Sequence, residues 1–189
     1  MKYLKNVISL KFLIIASMVF LSIVPAQAGG LYGLKVGDKA PDFKARTYDG
    51  KAVVLKDVVA KGPVVLVFYR GSWCPFCNLH LQAFERKLAE FKAAGISIVA
   101  LSVDKPEASA KTVQKNKLGF AVVSEAAEAI LRSYNVYGTA KHAGQVVAVP
   151  ATYLVDSSQI IRYAFVNENP MVRSKPDQVL EAAKNLSGQ

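Results

Sequence analysis

The chain has few cysteines and no apolar run long enough to cross a bilayer comfortably. Two cysteines in 189 residues cannot build a disulfide scaffold, and a chain of this length needs none, since it can bury roughly 70% of its unfolded surface. The two sulfurs are therefore free for chemistry. Basic residues outnumber acidic ones by ten, yet no run of five or more occurs and aromatic residues do not interleave with them, so a nucleic-acid or anionic-lipid site is not expected. Internal repeats, low-complexity stretches and the glycine-rich motifs of flavin or nicotinamide binding are absent. A composition that is 52% apolar and 20% charged excludes a disordered tail and predicts a globular protein.

The longest apolar run, Phe12 to Val24, follows Lys2, Lys5 and Lys11 and precedes Ala26-Gln27-Ala28. Positive flank, short apolar centre and small residues make a secretory signal over residues 1–28, with cleavage after Ala28. The expected mature chain, residues 29–189, is a single domain whose net charge falls to +7 because three lysines leave with the leader. It would reside in the periplasm, with no membrane anchor after cleavage, where disulfide chemistry is sustained.

Alternating elements follow. Pro63 to Tyr69 reads as a strand buried on both faces, Pro75 to Gly95 as one helix, and Ile96 to Val103 as a second buried strand. Pro106 to Lys117 reads as a helix, Phe120 to Val123 as a strand, Ala126 to Tyr134 as a helix, and Asn135 to Val149 as a loop. Ala151 to Val155 and Ile160 to Val166 are strands joined by the turn Asp156 to Gln159, and Pro176 to Leu186 closes the chain as a helix. Since that turn is too short for a crossover, the last two strands pair antiparallel. The expected fold is an α/β sandwich with a mixed central sheet flanked by helices.

Both cysteines fall in Trp73-Cys74-Pro75-Phe76-Cys77, where a buried strand feeds a helix. Unpaired amide groups and the macrodipole at a helix start favour a thiolate. A thiol of ordinary pKa is only about 3% ionised at pH 7, whereas one lowered to about 6.5 is roughly three-quarters ionised. Cys74 is thus expected to be the accessible, attacking sulfur. Cys77 shares a stripe with Leu81, Phe84, Leu88 and Phe91, faces the core, and would resolve a mixed disulfide. Competing readings are a structural disulfide, which a three-residue loop makes weakly stabilising, and a zinc site of Cys74, Cys77 and His80 with His142 as fourth ligand. His80 is otherwise expected on the helix surface, and Asp104 is expected to cap the helix that starts at Pro106. A covalent haem is excluded because Asn78 follows Cys77 where attachment requires histidine.

Strand, Trp-Cys-x-x-Cys, helix and a later Pro150 before a strand together resemble the thioredoxin-fold superfamily. Three segments narrow the likeness: Gly37 to Phe43, Phe68 to Cys77, and Arg173-Ser174-Lys175-Pro176. They are similar to the peroxiredoxin-like branch of the alkyl hydroperoxide reductase and thiol-specific antioxidant (AhpC/TSA) family. That resemblance implies a thioredoxin-like sandwich and a cofactor-free, metal-free thiol oxidoreductase. Its Cys74 and Cys77 would reduce hydroperoxides, regenerated by an external thiol because the mature chain has no third cysteine. It further implies that Trp73 packs beside the pair and shields it, that Pro150 is a cis-proline against the pair, and that the Val149 backbone is able to pair with substrate. Arg70, four residues before Cys74, would lower its pKa or orient an oxyanion. A rival reading is protein thiol-disulfide exchange with a partner protein in the cell envelope; a third is a non-enzymatic redox or zinc-binding module. The expected state is a monomer or weak dimer.

Departures from the pattern are specific. Laying the peroxiredoxin motif Pro-x-x-x-Thr-x-x-Cys over the chain puts Arg70 at its proline, Cys74 at its threonine and Cys77 at its peroxidatic cysteine, while the family's later arginine falls near Pro150. Phe68 occupies the position at which thioredoxins bury an acid.

Overall fold

Five consecutive residues with essentially no exposed surface, Val64 to Phe68, form the central strand. The structure is a computed structural model, and it describes residues 31–186. The expected leader, residues 1–28, lies outside them. Alternate side chains of the central strand feed two cores. Val64, Leu66 and Phe68 point into one, with Leu55, Leu131 and Tyr134; Val65, Val67 and Tyr69 point into the other, with Leu81, Phe84 and Phe91. The strand is apolar throughout because neither face meets water.

In chain order the strands are β1 (Lys44–Thr47), β2 (Ala52–Val54), β3 (Val64–Phe68), β4 (Ser97–Leu101), β5 (Ala121–Ser124), β6 (Tyr137–His142), β7 (Gln145–Ala148), β8 (Ala151–Val155) and β9 (Ile161–Val166). The helices are α1 (Leu55–Val59), α2 (Pro75–Arg86), α3 (Leu88–Ala93), α4 (Pro106–Asn116), α5 (Glu128–Ser133) and α6 (Pro176–Lys184). Seven strands make one sheet in the order β2-β1-β5-β4-β3-β8-β9. The pairs β3–β4 and β4–β5 are parallel, and β3–β8 and β8–β9 are antiparallel. This is the expected mixed, thioredoxin-like α/β sandwich.

Three differences from the sequence reading stand out. The helix expected from Pro75 to Gly95 is interrupted at Lys87, whose backbone (φ −103°, ψ 3°) leaves the helical region and separates α2 from α3; its N–H reaches back only three residues, to Phe84 O at 3.1 Å. The apolar stripe nevertheless runs on through Leu81, Phe84, Leu88 and Phe91, all buried as expected. Residues 135–149 are not a loop, because β6 and β7 form a two-stranded hairpin outside the main sheet. The edge strand β2, its neighbour β1 and the helix α1 have no counterpart in the sequence reading.

Candidate active site

The pair sits where β3 ends. Beyond Tyr69, whose amide still bonds Leu101 O at 3.0 Å, the chain turns through Arg70 to Trp73, and Pro75 opens α2 with Cys74 as its extended N-cap (φ −85°, ψ 113°). Proline suits this first helical position because the amide it lacks would be unpaired there. Polar groups fix the turn from two sides. The Ser72 amide donates to Asp104 Oδ2 at 2.7 Å, and Asn78 Nδ2 donates to Ser72 O at 2.7 Å and Cys74 O at 3.0 Å. Behind Asn78, Asn116 Nδ2 donates to Asn78 Oδ1 at 2.7 Å and Gln82 Nε2 donates to Asn116 Oδ1 at 2.8 Å. This chain ties the cysteine turn to α4. Gly71 is required by closeness: a Cβ there would lie 2.5 Å from Trp73 Nε1 and 2.9 Å from Asp104 Oδ1.

Both sulfurs are buried, Cys74 at 2% exposure and Cys77 at 0%. The expectation that Cys74 is the accessible sulfur is therefore corrected: the turn and the start of α2 fold over both thiols. Both are free thiols, and the Cys77 amide donates to Cys74 O at 3.1 Å, so the two cysteines share one turn at the start of α2. Burial pushes the Cys77 thiol up, and its neighbour Cys74 adds to this. Opposing it are the Arg173 guanidinium, whose Nη2 donates to Cys77 Sγ at 3.3 Å, and the Arg70 backbone amide.

Arg173 is held by its neighbours. Its Nη1 donates to Val172 O at 2.8 Å. The next residue, Ser174, is buried with its Oγ 3.1 Å from His80 Nε2 and donating to Thr152 Oγ1 at 2.9 Å. His80 is thus a core residue, not the surface residue expected. Desolvation, with the nearby Arg173 charge, lowers its pKa to about 4. Its imidazole is committed to Ser174.

Other expected site residues are placed as follows. Trp73 is 36% exposed; its ring stacks on His142 with centroids 4.0 Å apart and carries the Arg70 guanidinium 4.7 Å above it. The side chain of Arg70 is therefore spent on Trp73. Asp104 does not cap α4, whose N-cap is Lys105 without a side-chain bond; its carboxylate holds Ser72, and burial raises its pKa. Pro150 is corrected too: no cis peptide occurs among the described residues. The Val149 amide donates to Val136 O at 2.9 Å and Pro150 O accepts from the Asn167 amide at 3.2 Å, so the chain passes extended from β7 into β8. That bond also removes the Val149 amide as a substrate donor. Arg70, Val149 and Pro150 do share a small cleft of about 150 Å³ with Tyr32 and Glu168, but neither cysteine lines it.

A cavity of about 610 Å³, lined by Pro63, Asp156, Arg162, Asp177 and Leu180, also lacks both cysteines. Among the described residues no three His, Cys, Asp or Glu side chains gather as a metal site; His80 and His142 turn to Ser174 and Trp73 instead. No helix among the described residues is long and apolar enough to cross a membrane. The sequence reading assigned no role to Arg173, Asn78 or Asn116. Arg173 and Ser174 stood in a motif that carried the family likeness, and this was the available signal.

Comparison with known proteins agrees in kind. The family described as AhpC/TSA matches residues 36–164. A putative peroxiredoxin of Mycobacterium tuberculosis is 32% identical over 136 residues, which is 71% of this chain and 86% of that protein. The peroxiredoxin Bcp of Escherichia coli is 30% identical over 135 residues, covering 70% and 85%. Among solved structures, the peroxidoxin BcpB of Mycobacterium tuberculosis superposes with a TM-score of 0.72 at 23% identity, covering 81% of this chain and 98% of that one. A peroxiredoxin-like protein from Aquifex aeolicus superposes with a TM-score of 0.69 at 20% identity, covering 82% and 88%.

Proposed function

Since the chain belongs to the AhpC/TSA family and is a peroxiredoxin-type thiol oxidoreductase working through a cysteine pair, we propose that its substrate is a hydroperoxide and that Cys74 and Cys77 carry the whole cycle. One sulfur takes an oxygen from the peroxide, the other displaces it as water and closes the disulfide, and an external thiol reopens the bond. The observation that carries this reading is the placement of the chain's only two cysteines in one turn at the start of α2, both buried as free thiols and with a guanidinium on one of them. Trp73, Arg70, Val149 and Pro150 support the site from outside, the first two by the stack that covers the cysteine turn and the last two by closing the adjacent cleft.

The test is peroxide consumption by the purified protein with a dithiol reductant. Turnover that disappears in both Cys74→Ser and Cys77→Ser supports the proposal. A second reading, thiol-disulfide exchange with proteins, is favoured by the intact Cys-x-x-Cys at a helix start. Reduction of insulin disulfides without peroxide turnover would establish it instead, and stoichiometric zinc with neither activity would establish the non-enzymatic module. The leader sequence supports export to the periplasm, with the mature domain over residues 29–189. Mass analysis of the envelope fraction should give a chain beginning at Gly29.

A further inference from the structure

Breaking an O–O bond leaves negative charge on the departing oxygen, and a buried site must supply donors for it that are already in place. Arg173 has such a donor. A guanidinium offers five N–H groups in a rigid plane, with Nε–H and one Nη–H parallel along one edge. Here Nη1 is used on Val172 O, Nη2 on Cys77 Sγ, and Nε is buried with no partner. An unpaired buried donor on a charged group costs free energy, and this one lies beside the N–H that holds the sulfur.

Position agrees with chemistry. Met171 and Val172 are exposed, Arg173 is half-buried and Cys77 is fully buried, so the guanidinium lies between solvent and sulfur. The neighbouring Ser174 is locked to His80 and Thr152, which fixes where the arginine enters. Arg70, the other cation of the cysteine turn, has its guanidinium on Trp73. The Arg173 hydrogen bond also opposes the effect of burial on the Cys77 thiol.

We propose that Arg173 is the catalytic cation of the peroxide step and that Cys77 is the sulfur it serves, with Nη2 holding the thiolate and Nε–H donating to a peroxide oxygen. This rests on the hydroperoxide reading above. The Cys77 thiolate attacks one peroxide oxygen; the S–O bond forms as the O–O bond breaks, the sulfur loses two electrons to become a sulfenic acid, and the departing oxygen gains them and takes a proton as water or an alcohol. Cys74, in the same turn as Cys77, then attacks that sulfur and releases water as the disulfide forms.

The experiment compares the reduced wild type with Arg173→Gln and Arg173→Lys in a single turnover with hydrogen peroxide. Loss of one preorganised donor of this kind typically costs about 100-fold or more in rate, so Arg173→Gln is expected to slow by at least that factor. Arg173→Lys should fall between, since lysine restores charge without the fork. In Cys74→Ser, dimedone should mark Cys77 as sulfenic acid after peroxide, and the pH profile for alkylation of Cys77 should move upward when Arg173→Gln is added. If Arg173→Gln does not fold, as judged by its melting curve, the Lys variant and the dimedone label decide. A wild type that consumes no peroxide overturns the hydroperoxide reading and this inference with it. A wild type that consumes peroxide while Arg173→Gln stays within threefold of it, or Cys74→Ser without a dimedone label on Cys77 while Cys77→Ser carries one on Cys74, overturns the inference alone.

Discussion

His80 lies three residues beyond Cys77 on α2, and that spacing puts it on the face that buries Cys77, Leu81 and Phe84. The surface position expected for it overlooked that spacing, and its partner had no local signal, because Ser174 is brought to it from 94 positions away. The consequence is a pH-dependent stability. The folded-state pKa is depressed to about 4 from an ordinary 6.5, so the unfolded chain binds the proton more readily. Stability from this group is complete above about pH 6.5 and is lost as pH falls towards 4, by about 3 kcal/mol in all. Urea unfolding at pH 7 and 4.5 should therefore show the wild type losing about 2 to 3 kcal/mol more than His80→Asn; equal losses would contradict this. Asn78 is the second residue that pattern reading passed over, being polar on a helix next to a cysteine. Asn78→Ala would strip donors from Ser72 O and Cys74 O and leave the Asn116 amide group unpaired. A cost of about 2 to 3 kcal/mol follows for such buried groups, together with faster alkylation of the two cysteines as the turn loosens.

At the level of elements, what was legible followed from burial. β3, β4 and β8 are apolar on both faces, and the runs from Pro63, Ile96 and Ala151 announce them. β6 carries Gly138, Thr139, Ala140, Lys141 and His142, all but the glycine exposed, so it lacks the alternation that marks a strand. β1 and β2, four and three residues long, are too short to build a pattern. The β6–β7 hairpin does have a local cause. Ala143 and Gly144 both have positive φ, 48° and 82°, the conformation of a two-residue turn matched to the twist of a hairpin. Glycine takes it freely, whereas alanine is strained there and asparagine less so. Ala143→Asn should stabilise the protein by about 1 kcal/mol, raising Tm by about 2 to 4 °C for a chain of this size. Because the Trp73–His142 stack rests on the residue before this turn, the same variant should leave the Trp73 fluorescence spectrum unchanged; a red shift would show that the turn had moved.

Across the whole molecule, the sheet places Cys74 and Cys77 in one of the two cores, among Val67, Tyr69 and Leu81, rather than on an exposed rim. A thiol pair enclosed in this way within one helical turn has its resolving partner within the same chain, and there is no other cysteine to compete. Oxidation should therefore end inside one molecule. The reduced protein titrated with hydrogen peroxide in the absence of any thiol should consume about one equivalent per chain, because one dithiol supplies the two electrons that one peroxide requires. It should then lose both free thiols together and migrate as a monomer on a non-reducing denaturing gel. Cys74→Ser should also consume one equivalent, but it would stop at a sulfenic acid that a second exposure to peroxide carries to the sulfinic state, while the wild type, protected by its disulfide, does not. A disulfide-linked dimer, or consumption of half an equivalent, would mean that the sulfurs resolve between chains and that the pairing within one chain is not the productive one.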